Sequence, residues 1–448
     1  MDPRMTEPTD AIRYPTLSPK GRALLDWMRE HPAAPRFRNQ SGNRLTAEDL
    51  AALADFEANL GMPPTASVPP AWVNGLIAHA YADVPHYRGL GSAPARLADI
   101  PPVSRADFSR DIAQFVPDSI DLSRLINFQT TGTTGHSLLV PSHPQVAGRY
   151  LPYHKRALAR FGIVPSHGAG QVGVVLLGHQ QPCFTYLSVT PQMNESGLAK
   201  INLHPADWND PADRAAYLDA LAAEFIAGDP LSFEALLDLP VTCRPRALLS
   251  VSMMLSTGLR QALEERFSCP VLDLYSMNEV GPIGVYDPAR GGHVLVQDRL
   301  WIELLDDHGQ PVPAGERGEI TVTGGFNFCL PLLRYRTGDH ASLAMIKGEP
   351  VLIDLVGRAP VWFRDASGGW RNNIEVTHAL KPLPIAQYAL HQAADGAFTL
   401  SLSAGSVHYA DQASAAIRTL FGAVPLTITT LPDSAKAQQY SSDLSGVR

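Results

Sequence analysis

Cysteine is scarce in this chain. Its 448 residues hold four, Cys183, Cys243, Cys269 and Cys329, far apart and never as a C-x-x-C pair. That spacing excludes a disulfide scaffold and predicts reduced, buried thiols in a cytoplasmic protein. Positive charge is also thin: 36 Lys and Arg stand against 44 Asp and Glu, a formal net charge of −8. With no basic stripe, nucleic acid is not an expected partner. No apolar run approaches the ~20 residues needed to cross a bilayer, and the first residues have no apolar core, so neither a membrane partner nor a signal peptide is expected. Three catalytic signatures are missing: Gly-Lys-Ser/Thr of a Walker A loop, His-Glu-x-x-His and Gly-x-Ser-x-Gly. Gly168-Ala169-Gly170-Gln171-Val172-Gly173 spells G-x-G-x-x-G, but it precedes a predicted strand instead of following one, so it does not read as a dinucleotide site.

What is present is a globular composition, 45% apolar and 18% charged, in a chain long enough for about two or three domains. Residues 22–87 have a helical texture, with Thr46 and Asp49 as an N-terminal capping pair. The middle alternates: a strand at 125–128, a helix at 146–161 stopped by Gly162, a buried strand at 172–177, a helix at 259–267 and a strand at 271–275. After Gly291 the texture turns β-rich, with strands at 301–305 and 318–323. The predicted fold class is α/β: a large N-terminal domain of mixed layers plus a β-rich subdomain, with a small α+β unit at the C-terminus. The expected divisions are 1–100 (helical segment of the large domain), 101–357 (core) and 358–448 (small terminal domain).

Three segments carry chemistry. Gln129-Thr130-Thr131-Gly132-Thr133-Thr134-Gly135-His136-Ser137 follows a strand. Glycines let the backbone turn closely around a ligand, and successive N–H groups with threonine hydroxyls form an anion-binding concavity suited to ATP phosphates. Taken alone, it is equally a plain turn. Tyr275-Ser276-Met277-Asn278-Glu279-Val280-Gly281 offers an aromatic ring at a strand end for a purine and a carboxylate for Mg²⁺; alone, Tyr275 reads as core and Glu279 as solvated. Arg334-Tyr335-Arg336-Thr337-Gly338-Asp339 places an aspartate after a glycine turn, where it accepts hydrogen bonds from ribose hydroxyls, beside arginines able to pair with phosphate or orient the carboxylate; alone, a surface Arg–Asp pair reads as well.

The order and spacing of these segments, followed by Gly357-Arg358, resemble the adenylate-forming superfamily of acyl-CoA synthetases, adenylation domains and luciferases. Leu330-Pro331-Leu332-Leu333-Arg334-Tyr335-Arg336-Thr337-Gly338-Asp339 and the preceding Gly315-Glu316-Arg317-Gly318-Glu319-Ile320-Thr321-Val322-Thr323 are similar to its phenylacetate–CoA ligase branch. The resemblance covers about residues 100–360. It implies that a small-molecule carboxylic acid, aryl or small organic, is activated with ATP to an acyl-adenylate, with release of pyrophosphate, and is then passed to CoA. It also implies Thr130, Thr131, Gly132, Thr133, Thr134 and Gly135 on the phosphates, with Thr133 among the catalytic groups. Tyr275 and Ser252 fall by the base, Glu279 is a catalytic group on Mg²⁺, Asp339 holds the ribose with Arg358 supporting it beside the hinge of a C-terminal lid, and Asn278 and Arg336 count among the nucleotide-binding residues. Lys436 corresponds to a lysine that neutralises charge during attack on the α-phosphate. The stretch around Gln181-Pro182-Cys183-Phe184-Thr185-Tyr186 is a candidate wall for the acid.

Four features depart from the pattern. His136 stands where the loop commonly has lysine, removing a phosphate counter-charge, since histidine is mostly neutral at pH 7. Met253 stands in a segment that often carries an acidic residue. Pro360 replaces an acidic residue at the pivot, and its fixed φ argues against free lid rotation. No cysteine accompanies the lone His293, so the zinc site of some relatives is not expected. The alternatives left open are an amine or a carrier-protein thiol as acceptor, or a non-catalytic binding homologue. The oligomeric state is not fixed by the sequence, a homodimer being one arrangement it allows.

Overall fold

The computed structural model describes residues 9–65, 68–129, 138–180, 183–313, 315–357, 361–432 and 437–444. Two compact units emerge, each assembled from separate stretches of chain: Met1–Leu50 with Phe161–Asp273 and Pro360–Arg448, and Ala51–Arg160 with Leu274–Ala359.

In the first unit the apolar runs form a mainly parallel sheet. Its order is Ala247–Ser250, Phe225–Gly228, Val172–Gly178, Ser196–Asn202, Tyr186–Thr190, with the start of Val271–Met277 beside Ala247–Ser250. Tyr186–Thr190 alone among these runs antiparallel to its neighbour. Strands such as Phe225–Gly228 and Ala247–Ser250 are buried at every position, as expected of parallel strands covered on both faces. Helices Pro19–Glu30, Asp213–Leu221, Pro230–Leu237 and Thr257–Phe267 supply Leu24, Leu25, Leu218, Phe233, Leu259 and Leu263 to that core. The same unit contains a small α+β assembly. Its sheet runs Leu426–Thr430, Phe398–Leu402, Tyr388–Gln392, Tyr440–Ser442. Helices Asn373–Leu380 and Ala410–Phe421 close over it through Val376, Leu380, Ile417 and Phe421.

This small assembly is docked on the helices of the parallel sheet. The N–H of Gly258 donates to the carbonyl of Lys381 at 3.3 Å, and a side chain at Gly258 would run into Pro382, Leu383 and Pro384. The Glu234 carboxylate accepts from the hydroxyls of Ser403 and Ser406.

The second unit is an antiparallel sheet: Leu300–Leu305, Arg317–Gly324, Leu332–Ile346, Glu349–Gly357, Gly292–Leu295, Gly281–Asp287, then the end of Val271–Met277. A two-residue strand, Val103–Ser104, adds in parallel to Tyr335–Arg336. The helical texture read over 22–87 resolves into Pro19–Glu30, Ala47–Ala58, Trp72–Asp83 and Pro85–Gly89, the first in the other unit. Thr46 and Asp49 make the reciprocal cap: the Thr46 N–H donates to Oδ2 of Asp49 at 2.8 Å, and the Asp49 N–H donates to the Thr46 hydroxyl at 3.2 Å. The helix expected over 146–161 is interrupted: Pro144–Gly148 and Tyr150–Arg160 are separate helices.

The mixed α/β class is as the sequence implied. The four cysteines are free and buried; burial pushes the Cys243 and Cys269 thiols up to about 11 and Cys329 to about 12. Among the described residues, no helix is long and apolar enough to cross a membrane.

Candidate nucleotide site

Two of the three sequence segments meet within the second unit. Strand Val271–Met277 turns through Asn278, Glu279 and Val280 into Gly281–Asp287, so that Met277 pairs with Gly281. Gly281 takes a left-handed φ of 75°, a conformation that favours glycine. Its missing side chain also makes room, since a Cβ there would strike the Phe326 ring. The turn folds Glu279 inward to 3% exposure, whereas Asn278 stays exposed, its carbonyl accepting from Tyr150 at 3.3 Å.

The third segment lies in strand Leu332–Ile346, between Arg317–Gly324 and Glu349–Gly357. Register shifts between Glu319 and Thr321 on one side and His340 and Ser342 on the other bend the strand at Gly338, whose φ is 83°. Glu319 holds that bend: Oε1 accepts from the Gly338 N–H at 2.9 Å, and Oε2 accepts from Nε of Arg336 at 2.6 Å. Asp339 emerges opposite Gly357, and a Cβ at Gly357 would sit 3.4 Å from Oδ1 of Asp339.

At this bend two tyrosines pair with two carboxylates. The Tyr275 hydroxyl donates to Oδ2 of Asp339 at 2.9 Å, and the Tyr335 hydroxyl donates to Oε1 of Glu279 at 3.1 Å. Burial first, and then its carboxylate partner, raises each phenol well above its ordinary value, so both remain protonated donors at neutral pH. Each tyrosine also feels the other's carboxylate; the four groups form one electrostatic cluster. Phe108 stacks on Tyr335 at 4.8 Å between centroids and 4° between planes, fixing the ring. Nη1 of Arg105 lies 3.7 Å from Oε1 of Glu279.

The motif's arginines are anchored in the scaffold. Arg334, at φ 51° and 3% exposed, donates to the carbonyls of Ala98, Ile100 and Gly309 and faces Glu303 at 3.4 Å. Arg336 is held by Glu319.

Of the expected site residues, Tyr275, Asn278, Glu279, Arg336 and Asp339 lie together in this unit. Ser252 belongs to the first unit, exposed and at φ 71° just after strand Ala247–Ser250. So do Phe184, 51% exposed, and Tyr186, their rings 5.5 Å apart. Thr130, Thr131, Gly132, Thr133, Thr134, Gly135 and His136 lie outside the described residues, as do Arg358, Pro360 and Lys436. Sequence reasoning gave no role to Arg105, Phe108, Tyr335 or Glu319. Tyr335 stood inside the motif and Glu319 inside the segment before it. Nothing local to Val103-Ser104-Arg105 pointed to a residue 174 positions later in the chain.

No family model matches the chain. A 90-residue stretch is 34% identical to the phenylacetate-coenzyme A ligase of Aromatoleum evansii, covering 19% of this chain and 20% of that protein. The Pseudomonas putida phenylacetate-coenzyme A ligase is 32% identical over 97 residues, 21% of this chain and 22% of its own length. The chain thus matches about a fifth of the length of these curated relatives. Among solved structures, 2-hydroxyisobutyryl-CoA ligase in complex with 2-HIB-AMP aligns at a TM-score of 0.58 and 17% identity, covering 86% of this chain and 94% of that one. The same ligase with R3-HIB-AMP aligns at 0.57 and 16% identity, covering 85% and 94%. The chain has the fold of the adenylate-forming ligases and, over the matched stretch, is phenylacetate–CoA ligase-like in sequence.

Proposed function

We propose that this protein activates a small carboxylic acid, aryl or aliphatic, with ATP to an acyl-adenylate and then transfers the acyl group to the thiol of CoA. The observation that carries this reading is the Tyr275–Asp339 hydrogen bond: it joins a ring suited to a base and a carboxylate suited to a ribose, and the Tyr335–Glu279 pair lies in the same cluster. Asp339, with its N–H tied to the Thr337 hydroxyl at 3.1 Å, accepts hydrogen bonds from the ribose hydroxyls. Tyr275 keeps that carboxylate oriented while its ring faces the adenine.

Glu279 fits a magnesium ion, which binds through one or two carboxylates plus phosphate oxygens. Both contacts of its carboxylate described above fall on Oε1. Bound there, the metal would supply charge neutralisation for the leaving pyrophosphate. The acid's carboxylate oxygen attacks the α-phosphorus, and the bond to the bridging oxygen of pyrophosphate breaks. The protein contributes positioning and fixed donors, with no covalent enzyme intermediate. In the second step the CoA sulfur attacks the acyl carbonyl, loses its proton, and AMP departs. Thr130 to Gly135 would cradle the phosphates, Arg358 and Ser252 would flank the nucleoside, Lys436 would meet the α-phosphate, and residues 358–448 would act as a lid.

Acid-dependent exchange of labelled pyrophosphate into ATP, run across an acid panel, tests the first step. No exchange with any acid would overturn the reading. Mass detection of the product with CoA, a carrier-protein thiol or an amine tests the acceptor; Pro360 at the pivot makes the latter two arms necessary.

A further inference from the structure

We propose that a second, separate site lies behind the nucleotide cluster: a preformed apolar cavity between helix Tyr150–Arg160 and strands Gly281–Asp287 and Gly292–Leu295, which takes a compact, uncharged, apolar molecule the size of one aromatic ring. The site does not depend on the adenylating function above and goes beyond it.

The cavity measures about 210 Å³ and belongs wholly to the second unit. Its apolar walls are Val285, Val294, Val296, Met62, Pro63 and Pro350. Strand geometry separates it from the nucleotide cluster, because successive side chains alternate between the faces of a sheet. Tyr275 pairs with Gly284 and Leu274 with Val285. Val285 pairs in turn with Val294, and Tyr286 with His293. The Tyr275 and Tyr286 rings both lie against His293, at 6.4 and 5.5 Å between centroids. Val285 and Val294 therefore face the other side of the sheet.

Two arginines hold the walls apart. Arg156 and Arg160 stand one turn apart on the helix and share a face. Arg156 donates to the carbonyl of Val296 at 2.6 Å and to that of Gly61 at 2.7 Å. The second bond fixes the segment that leads into Met62 and Pro63. Gly61 is also held by its own N–H, which donates to Oδ2 of Asp298 at 3.1 Å, while Oδ1 of that carboxylate accepts from Tyr153 at 2.8 Å. Arg160 donates to Asp287 at 2.8 Å and to the two oxygens of Glu349 at 2.7 and 2.8 Å, tying the same helix to two strands.

These bonds also define the ligand. The charged groups at the cavity are matched within the protein: Arg160 by Asp287 and Glu349, Arg290 by Glu349 at 2.8 Å, Arg156 by carbonyls. A charged ligand would shed its hydration against valine and proline or break one of these bonds, and burying a charge without a partner is costly. A neutral apolar molecule pays neither cost and withdraws apolar surface from water. An apolar cavity of about 150 Å³ accepts benzene, so this one holds a single ring. Met62 lines the cavity and is 76% exposed, which sets its flexible thioether at the entrance.

Valine-methyl NMR of the full chain, titrated with benzene and separately with benzoate, is the test. Benzene should shift the methyls of Val285, Val294 and Val296 saturably, and benzoate should leave these three unmoved. Val294→Phe, which fills the space with its own ring, should lose the benzene shifts at Val285 and Val296. The absence of saturable shifts at the three valines overturns the proposal. Equal shifts with benzoate, or undiminished shifts in Val294→Phe, also overturn it. Should Val294→Phe fail to fold, Met62→Trp narrows the cavity from its exposed side and should weaken benzene binding several-fold; unchanged affinity there overturns the proposal. None of these readouts requires pyrophosphate exchange, so the fate of the adenylating function leaves them intact.

Discussion

The Tyr275 hydroxyl donates a 2.9 Å hydrogen bond to Oδ2 of Asp339, 64 residues along the chain. It ties the end of one strand to the bend of another, so the group suited to a base and the group suited to a ribose cannot move independently. Burial, then the Asp339 charge, keeps that phenol protonated.

Tyr275→Phe keeps the ring and removes the tether. The expected result is a KM for ATP raised about 10- to 100-fold, the size of one hydrogen bond to a charged group, with a smaller effect on kcat. Asp339→Ala should abolish exchange. Unchanged ATP kinetics in Tyr275→Phe would show that Asp339 needs no support from this ring.

Glu279→Gln removes the carboxylate's charge while keeping its shape, and on the proposed function should abolish magnesium-dependent exchange. Tyr335→Phe leaves the carboxylate charged but loses the hydrogen bond on Oε1. It should shift the Mg²⁺ concentration for half-maximal exchange several-fold, with thermal stability recorded in parallel to separate orientation from packing.

Gly281→Ala tests the turn that buries Glu279. The φ of 75° and the Phe326 ring in the path of a Cβ together predict a loss of about 2–3 kcal/mol, from strain plus overpacking. Chemical denaturation measures it. A neutral substitution would mean that the Phe326 ring yields freely.

Gly258→Ala has a sign that distinguishes packing from propensity. In an open helix alanine is favoured over glycine by about 1 kcal/mol. Here the added carbon would meet the carbonyl oxygen of Pro382 at 2.5 Å and the backbone of Leu383 and Pro384. Residues 361–444 should loosen from their docking helix and become sensitive to limited proteolysis while the parallel sheet persists. Undiminished protection of the C-terminal assembly would refute the docking.

Acid should weaken the fold in a defined window. Burial lowers His154 to about 4, so the unfolded chain binds that proton more readily than the folded one. Its contribution is present above about pH 6.5 and is lost as pH falls toward 4. At lower pH Glu349, held to about 2 mainly by its hydrogen bonds to Arg160, loses its own contribution as pH drops from about 4.5 toward 2. Denaturation midpoints from pH 7 to 4 should fall more steeply in wild type than in His154→Gln.

Much of the local architecture was legible in the residues. The apolar runs at Val172 and Val271 became strands, Gly162 stopped its helix, and Thr46 and Asp49 capped theirs. These depend on short-range chemistry: side-chain periodicity, backbone freedom and reciprocal hydrogen bonds. The interruption at Arg149 was not legible. That guanidinium sits over the Phe56 and Phe328 rings and donates to the Phe326 carbonyl, partners supplied from elsewhere in the unit.

The sequence by itself determined which chemistry the chain offers: carboxylates at 279 and 339, a tyrosine at 275, glycines where the backbone must turn left-handed. It also determined the strands that carry them, because alternation and burial are written into each short stretch. Only the tertiary structure decided that Tyr335 would hold Glu279, that Arg105 would face the same oxygen, and that the motif's two arginines would be spent on the scaffold. Those pairings follow from strand register between segments far apart in the chain, and a shift of one residue would send every side chain involved to the opposite face.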